Sequence, residues 1–198
     1  KLKFGERDYA ALERGKELID DAVENLIVAF TELDWVFHVN GFRSTKYNQK
    51  ISTLTSQIKQ LGDYYLSKFP DGEVVVVSDH GMTDTKESIN FQLEKRFGMP
   101  FSNGVSYFYD SLYLSLWNDG NEKLFNKMIG WLSNQDCGHF IEDKEREKYK
   151  LSDRNFGDKI YLLNEGFGFS PNYFGYRSLK AYHGYAPSVD SMKGVYCS

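Results

Sequence analysis

The sequence has no long hydrophobic run, no block of basic residues and few cysteines, and each of these absences excludes something. The longest apolar runs are strand-sized, well short of the roughly 20 residues that cross a bilayer. The net charge is −4 without any Lys/Arg cluster, so the 198-residue chain carries no nucleic-acid footprint. Cys137 and Cys197 fit neither a zinc spacing nor a redox motif, and we expect one disulfide or two buried thiols.

An initiator methionine and a signal peptide are also missing, since the chain begins at Lys1 with a charged segment. We therefore expect this start to be a cut and the targeting information to lie in what preceded it. Apolar residues make up 41% of the chain and charged residues 26%, which is ordinary for one globular domain. The mixed-sign run at residues 142–148 is expected to be a solvated face.

The first 80 residues alternate between helical and strand patterns. Apolar residues recur at helical spacing over residues 8–24 and, most clearly, over residues 44–69. Continuous apolar runs at residues 26–30 and 74–77 are typical of strands buried on both faces, which we expect at 26–30 and 73–77. Strand, helix and strand in this order predict a parallel pair with a right-handed crossover, hence an α/β sheet flanked by helices.

The part from about residue 100 to residue 160 is predicted to be an irregular α+β insert. Residues 105–109 and 111–116 alternate like the strands of a hairpin, and residues 120–133 have helical spacing. Another strand is expected at residues 159–163, followed by a Gly- and Tyr-rich loop up to about residue 182.

Acidic and histidine side chains follow both predicted buried strands. Asp34 and His38 come after the first strand and, four residues apart, share one face if the chain turns helically there. Asp79 and His80 follow the second strand, and because they are adjacent they converge only if the backbone bends, which Gly81 permits. Ligands of open α/β sheets sit beyond the carboxyl ends of the strands, and mixed carboxylate and imidazole groups suit zinc or manganese.

Each pair also has an ordinary structural explanation. An Asp-x-x-x-His spacing is common, and an Asp-His pair after a strand can be a helix cap beside a loop histidine. However, the chain has four histidines, and two of them stand beside a carboxylate at successive strand ends. Coincidence at both ends is much less probable than at either one, so the pattern favours a metal site.

Four segments, in order, resemble motifs of the type I phosphodiesterases and nucleotide pyrophosphatases of the alkaline phosphatase superfamily. Residues 78–82 read Ser-Asp-His-Gly-Met, and residues 34–41 match the upstream Asp-x-x-x-His-x-x-Gly motif. Residues 153–160 are similar to a Pro-Arg-x-Gly-Asp stretch, with Asp153 in place of the proline. Residues 182–185 and 192–196 are similar to the last motif, His-Gly-Tyr followed by Met-Lys-Gly and an apolar strand.

The resemblance implies two divalent ions, zinc by preference, about 4 Å apart and acting on a small phosphodiester or nucleotide substrate. One ion would be held by Asp34, His38 and His183. The other would be held by Asp79 and His80 together with an Asp and a Thr or Ser nucleophile from an N-terminal half. Nothing before residue 26 resembles that half, so residues 1–198 would be the C-terminal portion of one catalytic domain, with its N-terminal part missing.

Several expectations follow from that gap. The nucleophile is expected to be absent from this chain, and the isolated chain to be inactive unless the N-terminal half complements it. The lumenal domain of a glycolipid phosphoethanolamine transferase, a phosphonate-cleaving relative and a non-catalytic metal-binding relative remain as alternatives. An extracytoplasmic location is favoured by the resemblance alone.

Other residues are assigned lesser roles. His139 stands at no ligand spacing and is expected to be structural or on the surface. Asp84 would either support a metal-bound histidine or cap a loop. The Tyr-rich segments at 105–113 and 173–185 are candidate walls of a leaving-group pocket.

Overall fold

The computed structural model describes residues 5–198, which form a mixed α/β structure in agreement with the fold class predicted from the sequence. Its α-helices are α1 (Arg7–Asp20), α2 (Glu32–Asn40), α3 (Thr45–Lys68), α4 (Leu93–Phe97), α5 (Glu122–Leu132) and α6 (Asp143–Lys148). Its strands are β1 (Val76–Val77), β2 (Thr83–Asp84), β3 (Glu87–Ile89), β4 (Val105–Tyr109), β5 (Tyr113–Asn118), β6 (Gly138–Phe140), β7 (Lys159–Leu163), β8 (Phe167–Phe169), β9 (Ala181–Tyr182) and β10 (Tyr196–Cys197).

The two helices predicted most clearly, α3 and α5, form nearly over the expected ranges, and polar side chains cap their starts. The Ser44 side chain accepts from the Tyr47 amide at the start of α3, and the Asn121 side chain accepts from the Leu124 amide at the start of α5. Helix α1 stops at Asp20 rather than continuing to residue 24, because Ala22 adopts a left-handed conformation with φ of 60°.

The middle of the chain holds a four-stranded antiparallel sheet in the order β4-β5-β7-β6. The predicted hairpin and the predicted strand at residues 159–163 are both part of it, and α5 packs against one face. This sheet and α5 enclose the main hydrophobic core, with Leu114, Leu116 and Leu132 among its fully buried side chains.

The remaining strands form three two-stranded pieces. The pairs β1-β10 and β2-β9 are antiparallel, and β3-β8 is parallel. Within residues 5–198, β3-β8 is the one parallel ladder, so the parallel pair expected between residues 26–30 and 73–77 is not formed. Strand β1 pairs instead with β10, near the C-terminal end of the chain.

The expectation that residues 26–30 and 73–77 are strands buried on both faces was wrong for the described residues. Residues 26–30 form no ladder, and β1 covers two residues of the second run. One side packs on helices, since Val28 lies over Gly15 of α1 and Val74 lies over Gly62 of α3. The other side is open to solvent, with Ile27 98% exposed. A ladder needs a neighbouring strand, and no described segment provides one for residues 26–30.

The structure also bears on three smaller predictions. Cys137 and Cys197 are free thiols, half-buried and exposed respectively, so neither the disulfide nor a pair of buried thiols is present. The charged run at 142–148 is not wholly solvated, because buried Arg146 donates to the carbonyl oxygens of Leu151 and Gly157. Among residues 5–198, no helix combines the length and apolarity that crossing a membrane requires.

Candidate metal centre

Helix α2 carries the first two predicted ligands on one face. It begins at Glu32, directly after the apolar run, so the helical turn expected from the sequence is formed. Asp34 Oδ1 and His38 Nε2 lie 3.5 Å apart, as the i, i+4 spacing predicts.

The second pair, Asp79 and His80, also converges although the two residues are adjacent. The Asp79 side chain folds back, accepts a hydrogen bond from the His80 amide and brings Oδ2 to 3.4 Å from His80 Nε2. Gly81 has a role that differs from the expected bend. A Cβ at this position would lie 2.1 Å from the carbonyl oxygen of Ser191, so only glycine lets the two segments approach so closely.

The third contribution comes from the residues after β9. His183 follows Tyr182, which is fully buried, and its Nε2 lies 3.4 Å from Asp34 Oδ1. Its ring stacks on that of His80, with centroids 3.7 Å apart. Three segments that are distant in sequence thus deliver their side chains to one place.

The five predicted ligands are therefore neighbours, although they divide differently from the two sets that the family motifs imply. Asp34, His80 and His183 offer ligand atoms that all lie within 4.8 Å of one another. This group takes Asp34 and His183 from one expected set and His80 from the other. His38 contacts the same Asp34 oxygen as His183, and Asp79 is the most exposed member.

Backbone carbonyl groups orient two of the imidazoles. His38 Nδ1 is 2.7 Å from the carbonyl oxygen of Ala181, and His80 Nδ1 is 2.8 Å from that of Gly81. A carbonyl oxygen only accepts, so Nδ1 of each ring carries a proton, and in the neutral form of the imidazole Nε2 keeps a lone pair that faces the cluster. These carbonyl partners could not be found from side-chain identities in the sequence.

The electrostatics of the cluster favour a cation. Asp34 Oδ1 is buried and accepts no hydrogen bond, although it lies close to two imidazoles. Burial lowers the pKa of His183, nearby His80 lowers it further, and Asp34 opposes them without reversing the shift. His183 is therefore held in the neutral form that can ligate a metal.

A family model for type I phosphodiesterases and nucleotide pyrophosphatases matches residues 3–152. The chain belongs to this family. The match contains the Asp34/His38 and Asp79/His80 pairs, whereas His183 lies beyond it and is joined to them by the fold. No curated protein matches the chain by sequence.

Solved structures of phosphodiesterase relatives share the fold. Murine ectonucleotide pyrophosphatase/phosphodiesterase 5, an inactive variant in complex with AMP, matches with a TM-score of 0.70 and 18% identity. The match covers 99% of this chain and 52% of the murine chain. The human protein of the same name gives a TM-score of 0.69 at 18% identity, with the same coverage. The chain thus spans about half the length of these relatives.

Phosphonoacetate hydrolase from Sinorhizobium meliloti 1021, in complex with phosphonoformate, is a further structural match. It matches with a TM-score of 0.53 and 16% identity over 82% of this chain and 43% of its own. At this identity the likeness shows the fold alone.

The remaining predictions on this phosphodiesterase-family chain come out as follows. Asp84 caps a loop, since its Oδ1 accepts from the Phe42 amide just after α2. His139 is exposed and pairs with the Asn164 side chain, as expected of a surface residue. The segment 105–113 does not form a pocket wall throughout, because Tyr107 is buried in the main core. In the second segment, Tyr173 and Tyr176 are exposed, whereas Tyr182 and Tyr185 are buried.

Proposed function

We propose that this chain is the metal-binding part of a phosphodiesterase domain that hydrolyses phosphodiester or pyrophosphate bonds in nucleotide-type substrates with two divalent ions, zinc by preference. The observation that carries the proposal is the convergence of Asp34, His80 and His183 from three distant segments of a type I phosphodiesterase family member. Residues that meet only through the fold, and that all carry metal-binding atoms, are not explained by helix capping or by chance spacing.

The side chains present fit such ions. Asp34 Oδ1 is shielded from solvent and accepts no hydrogen bond, although the side chain as a whole is 45% exposed, and a cation would give this oxygen a partner. His38 and His80 are held by backbone carbonyls in the tautomer that exposes Nε2. One carboxylate oxygen among several imidazoles is a donor set that zinc accepts.

The family motifs assign Asp34, His38 and His183 to one ion, and Asp79 and His80 to the other. The 3.4 Å and 3.5 Å separations from Asp34 Oδ1 to His183 and His38 support the first set. Bound here, the ions would lower the pKa of an attacking hydroxyl and neutralise charge on the phosphoryl oxygens.

The chain's own contribution is to hold these ligands, while the nucleophile is proposed to come from outside residues 1–198. A murine relative was solved with AMP as an inactive threonine-to-alanine variant, which supports a threonine nucleophile and a nucleotide ligand. The isolated chain is accordingly proposed to turn over no phosphodiester. The ecto- prefix of the murine and human names supports an extracytoplasmic location.

The proposal is tested by the zinc content of the purified chain after dialysis, measured by mass spectrometry of metals. We expect bound zinc in the wild type and its loss in His183→Ala, because Asp34 then loses a partner ligand. His139→Ala is the matched control, since this exposed histidine pairs with Asn164 and lies outside the cluster. Equal zinc in all three proteins, or none in any, would overturn the proposed centre.

We further propose that residues 1–198 are one portion of a single domain whose other half covers the solvent-exposed face of residues 26–30 and 73–77. Ile27, Val75 and Val77 are apolar and exposed on that face, and the chain spans about half of its structural relatives. The side chains at these positions should be labelled by carbene footprinting in the isolated chain and protected in a longer protein that contains it. Labelling that stays unchanged in the longer protein would contradict this.

The alternatives are separated by activity rather than by fold. A phosphoethanolamine transferase or a non-catalytic relative would also bind metal through these residues. Hydrolysis of a nitrophenyl phosphodiester by the longer protein, lost in His183→Ala, is expected for the phosphodiesterase. Zinc binding without hydrolysis would favour the other two.

A further inference from the structure

A second group of charged residues lies buried where the first three helices meet, outside the candidate metal centre. Asp8 of α1 and Glu32 of α2 are 1% and 2% exposed, and Lys50 of α3 lies between them. Lys50 Nζ is 2.8 Å from Asp8 Oδ2 and 2.7 Å from Glu32 Oε2. Buried charges of this kind are costly unless each one is fully paired.

The two carboxylates cap each other's helices. Asp8 Oδ1 accepts from the amides of Thr31 and Glu32, at the start of α2, where Thr31 itself provides no side-chain cap. Glu32 Oε1 accepts from the amides of Gly5 and Arg7, at the start of α1. Each helix therefore satisfies free amide groups at the start of the other.

The charges of this arrangement balance. Each helix start carries about half a positive elementary charge, so two helix starts and Lys50 together offset the two carboxylates. Removing one of the three charged side chains leaves the remaining buried charges without compensation. The group behaves as one unit that joins α1, α2 and α3.

The unit stands at one end of the helix that carries the metal-centre residues. Asp34 lies in the first turn of α2, directly after the residues that Asp8 caps. The other end of α2 is held by Asp84, which accepts from the Phe42 amide, and by the Lys180 amide, which donates to the His38 carbonyl oxygen. The position and rotation of α2 decide how far Asp34 is from His183, which arrives on a different segment.

We infer that Asp8, Glu32 and Lys50 are positioning residues, which hold the start of α2 so that Asp34 meets His183 and His80. This inference rests on the proposed metal centre for its link to function. The observation that supports this inference is that two buried carboxylates cap each other's helices and share one lysine.

The test compares Asp8→Ala with Asp8→Asn in the purified chain. Alanine removes the cap of α2, whereas the asparagine oxygen can still accept from the amides of Thr31 and Glu32. We expect zinc affinity by calorimetry to fall about tenfold in Asp8→Ala, as for other residues that support metal ligands. Asp8→Asn keeps the cap but removes the charge that faces Lys50, so it should recover part of the affinity. Leu132→Ala controls for general destabilisation, because Leu132 is buried in the distant core of the antiparallel sheet.

Hydrogen exchange provides a readout that does not depend on metal. Amides of residues 31–40 should exchange faster in Asp8→Ala, with no change over residues 122–132. Should the wild type bind no zinc, the proposed function fails and exchange in α2 alone decides the inference. The inference would be overturned if folded Asp8→Ala kept both the zinc affinity and the amide exchange of the wild type. It would also be overturned if folded Leu132→Ala lost as much zinc affinity as Asp8→Ala.

A triple variant covers the case in which Asp8→Ala does not fold. In Asp8→Ala/Glu32→Gln/Lys50→Met all three buried charges are removed together, a change that proteins often tolerate. The Gln oxygen can still accept from the amides of Gly5 and Arg7. We expect this variant to fold with weakened zinc binding and faster exchange in α2. Wild-type values for both measurements would overturn the inference.

Discussion

The antiparallel sheet in the middle of the chain and the region around the candidate metal centre are built in opposite ways. The sheet β4-β5-β7-β6 and α5 enclose a continuous core of fully buried apolar side chains. The metal-centre region comprises α1 to α3 and residues 73–84 and 178–197. Its strands pair in twos, α3 buries no residue fully, and apolar side chains such as Val77 face solvent.

The candidate metal ligands are found in the region with the weaker core. All five predicted ligands lie there, on loops and helix ends, while the antiparallel sheet holds none of them. Beside a small apolar cluster of Phe37, Met82 and Ala181, hydrogen bonds and ion pairs hold this region together. The Asp8, Glu32 and Lys50 unit is one example. We therefore expect stability to depend mainly on the sheet and metal binding mainly on polar contacts.

The largest loss of stability is expected from truncating a core side chain in the sheet region. Leu132→Ala should lower the free energy of unfolding by about 2–5 kcal/mol, because it leaves a cavity among fully buried neighbours. Leu66→Ala on α3 is the matched control, since Leu66 is 39% exposed. Urea unfolding followed by circular dichroism measures both, and an equal loss for the two variants would remove the distinction between the regions.

The next largest loss of stability is expected from disturbing a close backbone contact in the metal-centre region. Gly81→Ala should cost about 1–3 kcal/mol, because its Cβ would overlap the Ser191 carbonyl oxygen. Gly130→Ala in α5 is the control, as a Cβ there meets no atom within 4 Å and alanine favours a helix. The same unfolding measurement applies, and wild-type stability for Gly81→Ala would show that the two segments can separate freely.

A smaller effect is expected at alkaline pH in the sheet region. Burial, reinforced by Glu94, raises the pKa of Tyr107 to about 12, against about 10 in an unfolded chain. Its contribution to stability is complete below pH 10 and is lost as the pH rises towards 12, because the unfolded chain loses this proton first. Tyr107→Phe should therefore lose less stability over this range than the wild type.

The control for that experiment is Tyr196→Phe, because Tyr196 is 72% exposed and its substitution should leave the pH profile unchanged. Urea midpoints measured at several pH values give the profiles. Identical slopes for wild type and Tyr107→Phe would contradict the role of this buried hydroxyl.

The smallest effect on stability is expected on the solvent-exposed face of residues 26–30 and 73–77. Ile27→Asp should change the stability of the isolated chain by no more than about 0.5 kcal/mol, because the side chain is exposed. Ile19→Asp on α1 is the matched control and should unfold the chain, since Ile19 is buried. A large loss for Ile27→Asp would mean that the face is covered in the isolated chain, and light scattering would show whether a second copy covers it.

The sequence predicted the parts of the fold that local patterns determine. Helical spacing located α3 and α5, and alternation located the hairpin β4-β5. The apolar run at residues 26–30 was interpreted as a buried strand because its composition is correct for one, but a strand also needs a neighbour. Whether a neighbour is present is a property of the whole chain, which local patterns do not contain.

The candidate site was predictable to a similar extent. Two Asp/His pairs stood out by spacing and by position after apolar runs, whereas His183 was identified only from the resemblance to a family motif. The carbonyl groups of Ala181 and Gly81 that orient two imidazoles have no signal in the sequence. The same is true of Asp8, which caps a helix more than 20 residues away.

The central claim is that Asp34 and His183 bind a common divalent ion, and anomalous diffraction tests it most directly. Crystals of the chain grown with zinc would be measured on both sides of the zinc absorption edge. We predict an anomalous peak about 2.0–2.2 Å from a carboxylate oxygen of Asp34 and from a ring nitrogen of His183. Zinc peaks confined to surface groups such as His139, with none between Asp34 and His183, would contradict the account.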